Sequence, residues 1–222
     1  IQENSELRAI DSYAFSKSPI TSLFIPPNAE LQSLWCDRTP NLNSITISPK
    51  NHRYSQYEGQ FILGKTDENG DIFDSIVFAR RDIEIAKIPS FVKKISICSF
   101  DYCQKLKKIE FSETSSELVF GENSFAYSSL KSISIPSYVT QISDSTFFSC
   151  TKLSKVNFEG ESKLSEINSF AFSSTKIESF VFPSSVKKIG NSSFENCMNL
   201  RKIRFCENSK LELIGDYAFS RT

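Results

Sequence analysis

The sequence holds one histidine, one tryptophan, one methionine and only seven glycines in 222 residues. Each scarcity removes a class of chemistry. With His52 as the single imidazole, a Ser-His-Asp relay or a zinc-hydrolase set would rest on one residue flanked by Lys50, Asn51 and Arg53. Those neighbours form neither a nucleophile–base pair nor a ligand set, so His52 is read as a solvated loop residue. Neither G-x-x-x-x-G-K-S/T nor G-x-G-x-x-G occurs, and few glycines are left to cradle a phosphate. Lys plus Arg (26) balances Asp plus Glu (26), so no net charge draws the chain to nucleic acid or an acidic membrane. No apolar run approaches ~20 residues, and no basic segment followed by an apolar one opens the chain. Neither a transmembrane segment nor a signal peptide is therefore read, and no direct membrane insertion is expected. Carboxylate pairs such as Glu159 and Glu161 fall in polar turns, as solvated faces do. No cofactor, no metal and no enzymatic activity are expected.

Phenylalanine is the abundant residue, with 20 copies. Aligned on itself, the chain gives a column of anchors at Phe15, Cys36, Phe100, Phe125, Phe147, Phe172, Phe194 and Phe219. From Phe100 onward the spacings are 25, 22, 25, 22 and 25, so two unequal coils alternate with a true period of 47. The longer reads F-x-x-C-x-x-L-x-x-I-x-F and the shorter F-x-x-S-x-L-x-S-I-x-I-P-S-x-V-x-x-I. Leu, Ile and Phe at set offsets within a repeat of 20 to 29 residues define a leucine-rich solenoid.

Each coil has a physical reading. The L-x-x-I-x-I/F segments, such as Leu130–Ile135 and Leu153–Phe158, put apolar residues two apart on one face of a short strand. Pro136 and Pro183 end the strand, because proline cannot donate to a ladder. S-x-V-K-K-I segments run back on the opposite side, and the turn that buries each Phe is expected to be a single turn of 3₁₀ or α helix. The fold class expected is an α/β-type, β-rich leucine-rich-repeat solenoid. It has short parallel strands, single-turn helical segments and one inserted β-hairpin, in a single domain spanning 1–222.

The insertion follows from the 64 residues between Cys36 and Phe100, some 40 more than a coil needs. Between about 50 and 87, the runs Phe61-Ile62-Leu63 and Ile76-Val77-Phe78 flank Asn69-Gly70 and read as a hairpin. It is placed protruding from one edge, either as a decoration covering that edge or as a loop contacting a partner. Asn4–Phe15 matches Asn208–Phe219 at seven of twelve positions, so the chain starts and stops in the same phase without polar caps. A piece of a longer array, or a variant whose ends a partner covers, is expected.

Cys103, Cys150 and Cys197 recur every 47 residues. Two coils separate them, about 9.6 Å between Cα atoms, beyond the ~7 Å reach of a disulfide. They are read as small buried hydrophobes, with Ser128 and Ser174 filling the nearest slot in the alternate coils. Cys36 is expected to be buried in the Phe slot. Cys98 and Cys206 fall off the pattern, so either could be a free surface thiol. The lack of C-x-x-C argues against a metal cluster.

The strand face gathers side chains from successive coils. Its outward column comprises Phe24, Thr46, Glu110, Ser134, Asn157, Val181 and Arg204, and the next column includes Lys108, Lys155 and Lys202. Lysine alternates with serine, a consequence of the two-coil period. This face is either an ordinary soluble sheet surface or a polar, mildly basic strip for a protein or glycan, with Phe24 and Val181 as apolar anchors.

The motifs F-x-x-C-x-x-L-x-x-I-x-F, I-P-S-x-V-x-x-I and I-G-D-Y-A-F resemble the BspA-type leucine-rich repeats of bacterial and anaerobic protist surface proteins. NHRYSQYEGQFILGK is similar to a hairpin module such proteins carry. The resemblance spans essentially the whole chain. It implies a cell-surface or secreted location and non-enzymatic attachment to a protein or glycan ligand, a host or matrix component. An intracellular scaffold or regulatory subunit is the alternative. No nucleic-acid partner is implied.

Overall fold

Every coil is assembled from three short segments, each dictated by its own stretch of sequence. The computed structural model describes residues 1–113 and 116–222. The L-x-x-I-x-I/F segments form four-residue strands: Ser22–Ile25, Ser44–Ile47, Ile85–Ile88, Lys108–Phe111, Ser132–Ile135, Lys155–Phe158, Ser179–Phe182 and Lys202–Phe205. The return segments form two-residue strands on the other side. Ile142, Ile167, Ile189 and Ile214 stand in parallel register there. The four-residue strands pair two by two, Ser132–Ile135 with Lys155–Phe158 and Ser179–Phe182 with Lys202–Phe205. The two-coil period of the sequence is therefore written into the backbone.

The third segment departs from expectation. Helical turns are predicted around each Phe, yet the described residues contain no helix. The residues two before and two after each anchor adopt positive φ: Ser145 and Ser149 (both 54°) about Phe147, Phe170 (56°) and Ser174 (60°) about Phe172. A left-handed residue every fourth position cannot propagate a right-handed helix. The gain is directional. Ser145, Phe147 and Ser149 donate their N–H groups to Ser169, Ala171 and Ser173 of the next coil at 2.8–2.9 Å. Bonds that a helix would close within itself instead tie neighbouring coils together. Gly190 marks how tightly the coils stack, since a Cβ there would sit 2.7 Å from the Asn168 carbonyl carbon.

The anchors form a ladder of rings. Phe125, Phe147, Phe172, Phe194 and Phe219 stack with successive centroids 5.4, 5.2, 5.3 and 5.3 Å apart. Dispersion and area burial act together in such a column.

The insertion does not protrude. Ser55–Tyr57, Phe61–Gly64 and Ser75–Ala79 form an antiparallel meander, and Ser75–Ala79 also pairs in parallel with the return strand Lys94–Ile95. Phe61, Ile62, Leu63, Ile76 and Phe78 are all buried. Ile62 and Phe78 pack with Trp35 and Cys36 in the N-terminal core, whereas Phe61, Leu63, Ile76 and Ala79 pack into the C-terminal one. The sheet is a partition with two dry faces. Continuous apolar runs suit this, because a strand buried on both faces has no polar side to alternate with. The insertion is also shorter than expected, since Ile85–Ile88 is already a solenoid strand, paired with Lys108–Phe111.

Where the partition meets the turn side, the coil-to-coil ladder is interrupted. Arg38 donates its N–H to Asp101 Oδ2 at 3.0 Å, and Ala79 donates to the Ser99 carbonyl at 2.9 Å. The fully buried Arg81 fills the remaining gap. Its Nη1 donates to Ser99 O at 2.8 Å and its Nη2 lies 2.8 Å from Asp101 Oδ1. Cys36 replaces Phe in the neighbouring anchor slot, with its sulfur 3.5 Å from Nη2. A ring in that slot would collide with the guanidinium.

Candidate binding face

The four-residue strands bring the predicted residues into rows. Ser132 faces Lys155, Ser134 faces Asn157, Ser179 faces Lys202 and Val181 faces Arg204. In the first coils Phe24 faces Thr46. Lys155, Asn157, Val181, Lys202, Arg204 and Thr46 are exposed, but Phe24 is half-buried and does not stand free as an anchor. Lys108 and Glu110 neutralise each other across 2.8 Å, and that hydrogen bond holds the Glu110 carboxyl below its ordinary range.

Two contributions escape the column reading. The strand Ile85–Ile88 adds an exposed Ile85 opposite Lys108, and Lys87 opposite Glu110. The loops that lead into the strands add Lys105, Lys107, Lys131, Lys152, Lys176 and Arg201, all exposed. Their signal is a basic residue beside the leading Leu or Ile, as in Lys105-Leu106 and Lys152-Leu153. Lys107 pairs with Glu84 at 2.7 Å. On the opposite, turn side, Glu122, Asp144 and Asp216 share the position three residues before an anchor Phe and are exposed. The strand side is thus rich in Lys and Arg, whereas these turn positions are acidic.

The other chemical candidates behave as packing. Cys103, Cys150 and Cys197 are fully buried and free. Cys150 contacts Ser128 Oγ at 3.3 Å, and Cys197 contacts Thr175 Oγ1 at 3.2 Å, so Thr175, not Ser174, fills the alternate slot. Burial pushes the Cys150 and Cys36 thiols up to about 12 and that of Cys103 up to about 11. Cys98 is buried and only Cys206 is exposed, which corrects the expectation for Cys98. The reason is the partition: Cys98 abuts Arg81, whose Nη2 lies 3.5 Å from its carbonyl. His52 is exposed in its loop. Its neighbour Asn51 is buried and donates Nδ2 to the carbonyls of Pro26 and Ala29.

Among the described residues, one cluster offers metal-type donors. Oxygen or sulfur atoms of Asp37, Cys98 and Asp101 lie within 4.8 Å of one another. Guanidinium groups already hold the two carboxylates, Arg81 at Asp101 and Arg38 at 3.7 Å from Asp37. Burial also raises the Cys98 thiol well above its ordinary value. A cation would compete with both arginines, so the cluster reads as part of the seam. No helix among the described residues is long and apolar enough to cross a membrane.

The repeat is independently identifiable. The family model for the BspA type leucine rich repeat region matches residues 1–58, 71–119 and 118–222, in six copies. The chain belongs to this family. No curated protein matches its sequence. Among solved structures, a leucine rich cell surface protein from Faecalibacterium prausnitzii is similar, with a TM-score of 0.78 at 23% identity over 94% of this chain. A leucine-rich repeat protein from Eubacterium ventriosum gives 0.69 at 22% over 96%, and the pneumococcal vaccine antigen PcpA gives 0.52 at 24% over 74%. The BspA-type chain covers 55%, 62% and 37% of those three structures. At such identities the likeness establishes the solenoid fold.

Proposed function

We propose that this BspA-type chain is a non-enzymatic binding module, displayed at a cell surface, that attaches to a protein or glycan of a host or matrix through its strand face. The observation that carries the reading is the two in-register pairs of exposed residues, Ser132 with Lys155 and Ser179 with Lys202, with Asn157, Val181 and Arg204 beside them. Solenoids present side chains of successive coils as one extended surface, which is how such folds bind. The F. prausnitzii relative is described as a cell surface protein, which supports display. Replacing Lys155, Lys202 and Arg204 together by Ser should reduce attachment to the target surface while thermal stability stays nearly constant. Undiminished attachment would remove the strand face from consideration.

A second reading, an intracellular scaffold, is favoured by the six cysteines, all of them free. Disulfides accumulate in oxidising compartments and free thiols persist in reducing ones. Brief proteolysis of intact cells separates the two readings: a displayed chain is cleaved, an internal one is not.

A further inference from the structure

We infer that the strand face on the C-terminal side of the partition is a site for a linear sulfated glycan. The inference rests on the strand-face reading above and names its ligand.

The first support is a local excess of positive charge. The strands from Lys108–Phe111 to Lys202–Phe205, with the loops that enter them, carry ten exposed Lys and Arg against two carboxylates, Glu110 and Glu178. The whole chain is neutral. Local excess, not net charge, sets the field a ligand meets at contact. Among the described residues only Lys107 and Lys108 of these ten have ion-pair partners. Eight of the ten therefore make no ion pair, and the carboxylates of Glu178 and, where the strands end, of Glu113, Glu159 and Glu207 are too few to balance them.

Periodicity is the second. Lys108, Lys155 and Lys202 occupy one column, each 47 residues after the last. Among the described residues Lys155 and Lys202 are free of ion pairs, whereas Lys108 is paired to Glu110. Two coils separate successive members, roughly 9.6 Å along the axis. Regularly spaced point charges match a polymer whose own anionic groups repeat at a fixed step. Lysine is a compact ammonium that meets a sulfate without demanding planar, bidentate geometry.

The same face is poorly made for the competing polyanions and for proteins. Base-binding surfaces stack nucleobases on aromatic rings. The exposed positions between Lys108 and Arg204 on this face carry Ser, Asn, Val and Ile, with no aromatic residue fully exposed. Val181 (51% exposed) and Ile203 (40%) are the only prominent apolar side chains in those strands, where a protein hot spot would use Trp or Tyr.

Heparin oligosaccharides of defined length provide the probe, titrated calorimetrically against the whole chain at 50 and 150 mM NaCl. Two variants carry the test. Lys152, Lys155 and Lys202 changed to Ser removes strand-face charge, and Lys163, Lys187 and Lys210 changed to Ser removes as much from the return side. The expected result is binding that weakens with salt, with affinity falling about tenfold or more in the first variant and less than about twofold in the second. Circular dichroism of both variants confirms an unchanged fold. Equal losses in the two variants, no binding at 50 mM salt, equal binding of desulfated heparin, or tighter binding of a single-stranded oligonucleotide of equal charge would each overturn the glycan assignment. Should heparin fail to bind while the Lys155/Lys202/Arg204 substitutions still abolish attachment, the strand-face reading stands and only the glycan falls.

Discussion

Arg81 Nη2 approaches Asp101 Oδ1 to 2.8 Å with the two side chains 0% and 2% exposed, at the one seam where the turn ladder is broken. The approach is electrostatic, since no donor is well aligned on Oδ1. Both groups are nonetheless anchored, Arg81 through the Ser99 carbonyl and Asp101 through the Arg38 N–H. Truncating one member of a buried pair strands the other charge, which costs about 3–5 kcal/mol, whereas replacing both by apolar residues is often nearly neutral. Arg81→Met should accordingly destabilise by about that amount in urea unfolding, and Arg81→Met with Asp101→Leu should recover much of it. A single variant within about 1 kcal/mol of the parent would show that the seam does not depend on the pair.

The same pair makes a pH prediction with a definite sign. Burial outweighs the attraction of Arg81 and raises Asp101 from 3.8 to about 6 in the folded chain. Arg81 stays protonated throughout, since Asp101 and the adjacent thiols oppose the lowering effect of its burial. Between those two Asp101 values the folded state holds a proton that the unfolded state has released. The contribution of Asp101 to stability is therefore largest below the unfolded value and declines as pH rises toward 6. Asp101→Asn cannot titrate, so the stability of the parent relative to this variant should fall by about 2 kcal/mol between pH 4 and pH 6.5. A difference that grows with pH would mean that Arg81 dominates and the carboxyl is depressed.

Much of this architecture was legible in the residues, and the reasons for the misses are physical. The 47-residue period carried the coils, the strands and the cysteine ladder, because a ladder of like residues admits few alternatives. The turns depart from the helical expectation because their signature, positive φ at residues such as Ser145 and Phe170, is imposed by coil-to-coil hydrogen bonds and not by local propensity. The two apolar runs predict the hairpin but not its position. Alternation along Phe61-Ile62-Leu63 shows apolar residues on both faces, which fits a buried partition better than an exposed flap. Lys155 and Lys202 were found through the strand pattern, whereas Lys152 and Lys176 lie in loops where no periodic core residue fixes the direction of a side chain.

Thiol reactivity offers a direct check on burial. Cys36, Cys98, Cys103, Cys150 and Cys197 are buried with thiols raised above their ordinary value, and burial is the leading cause for each. Cys206 is exposed. Only a thiolate attacks a disulfide reagent at an appreciable rate. At pH 8 the native chain should release about one equivalent of chromophore from an aromatic disulfide reagent, lost in Cys206→Ser, and about six after denaturation. Fast release of two or more equivalents from the native protein would contradict the placement of Cys98.

The partition separates two cores, and the single tryptophan sits in only one of them. Trp35 packs with Phe78 at 6.0 Å between centroids in the N-terminal cluster, while the Phe ladder belongs to the C-terminal one. Phe147 lies in mid-ladder, stacked nearly parallel between Phe125 and Phe172 with interplanar angles of 5° and 10°. Phe147→Ala removes a fully buried ring and should cost about 3–5 kcal/mol in the coils that contact it. Repeat arrays pass such a loss mainly to nearest neighbours. Trp35 fluorescence and far-ultraviolet circular dichroism, coincident in the parent, should then separate, with the circular-dichroism midpoint shifting to lower urea and the fluorescence midpoint moving less. Two midpoints that shift together by the same amount would show that the Arg81–Asp101 seam and the double-faced sheet couple both cores into one cooperative unit.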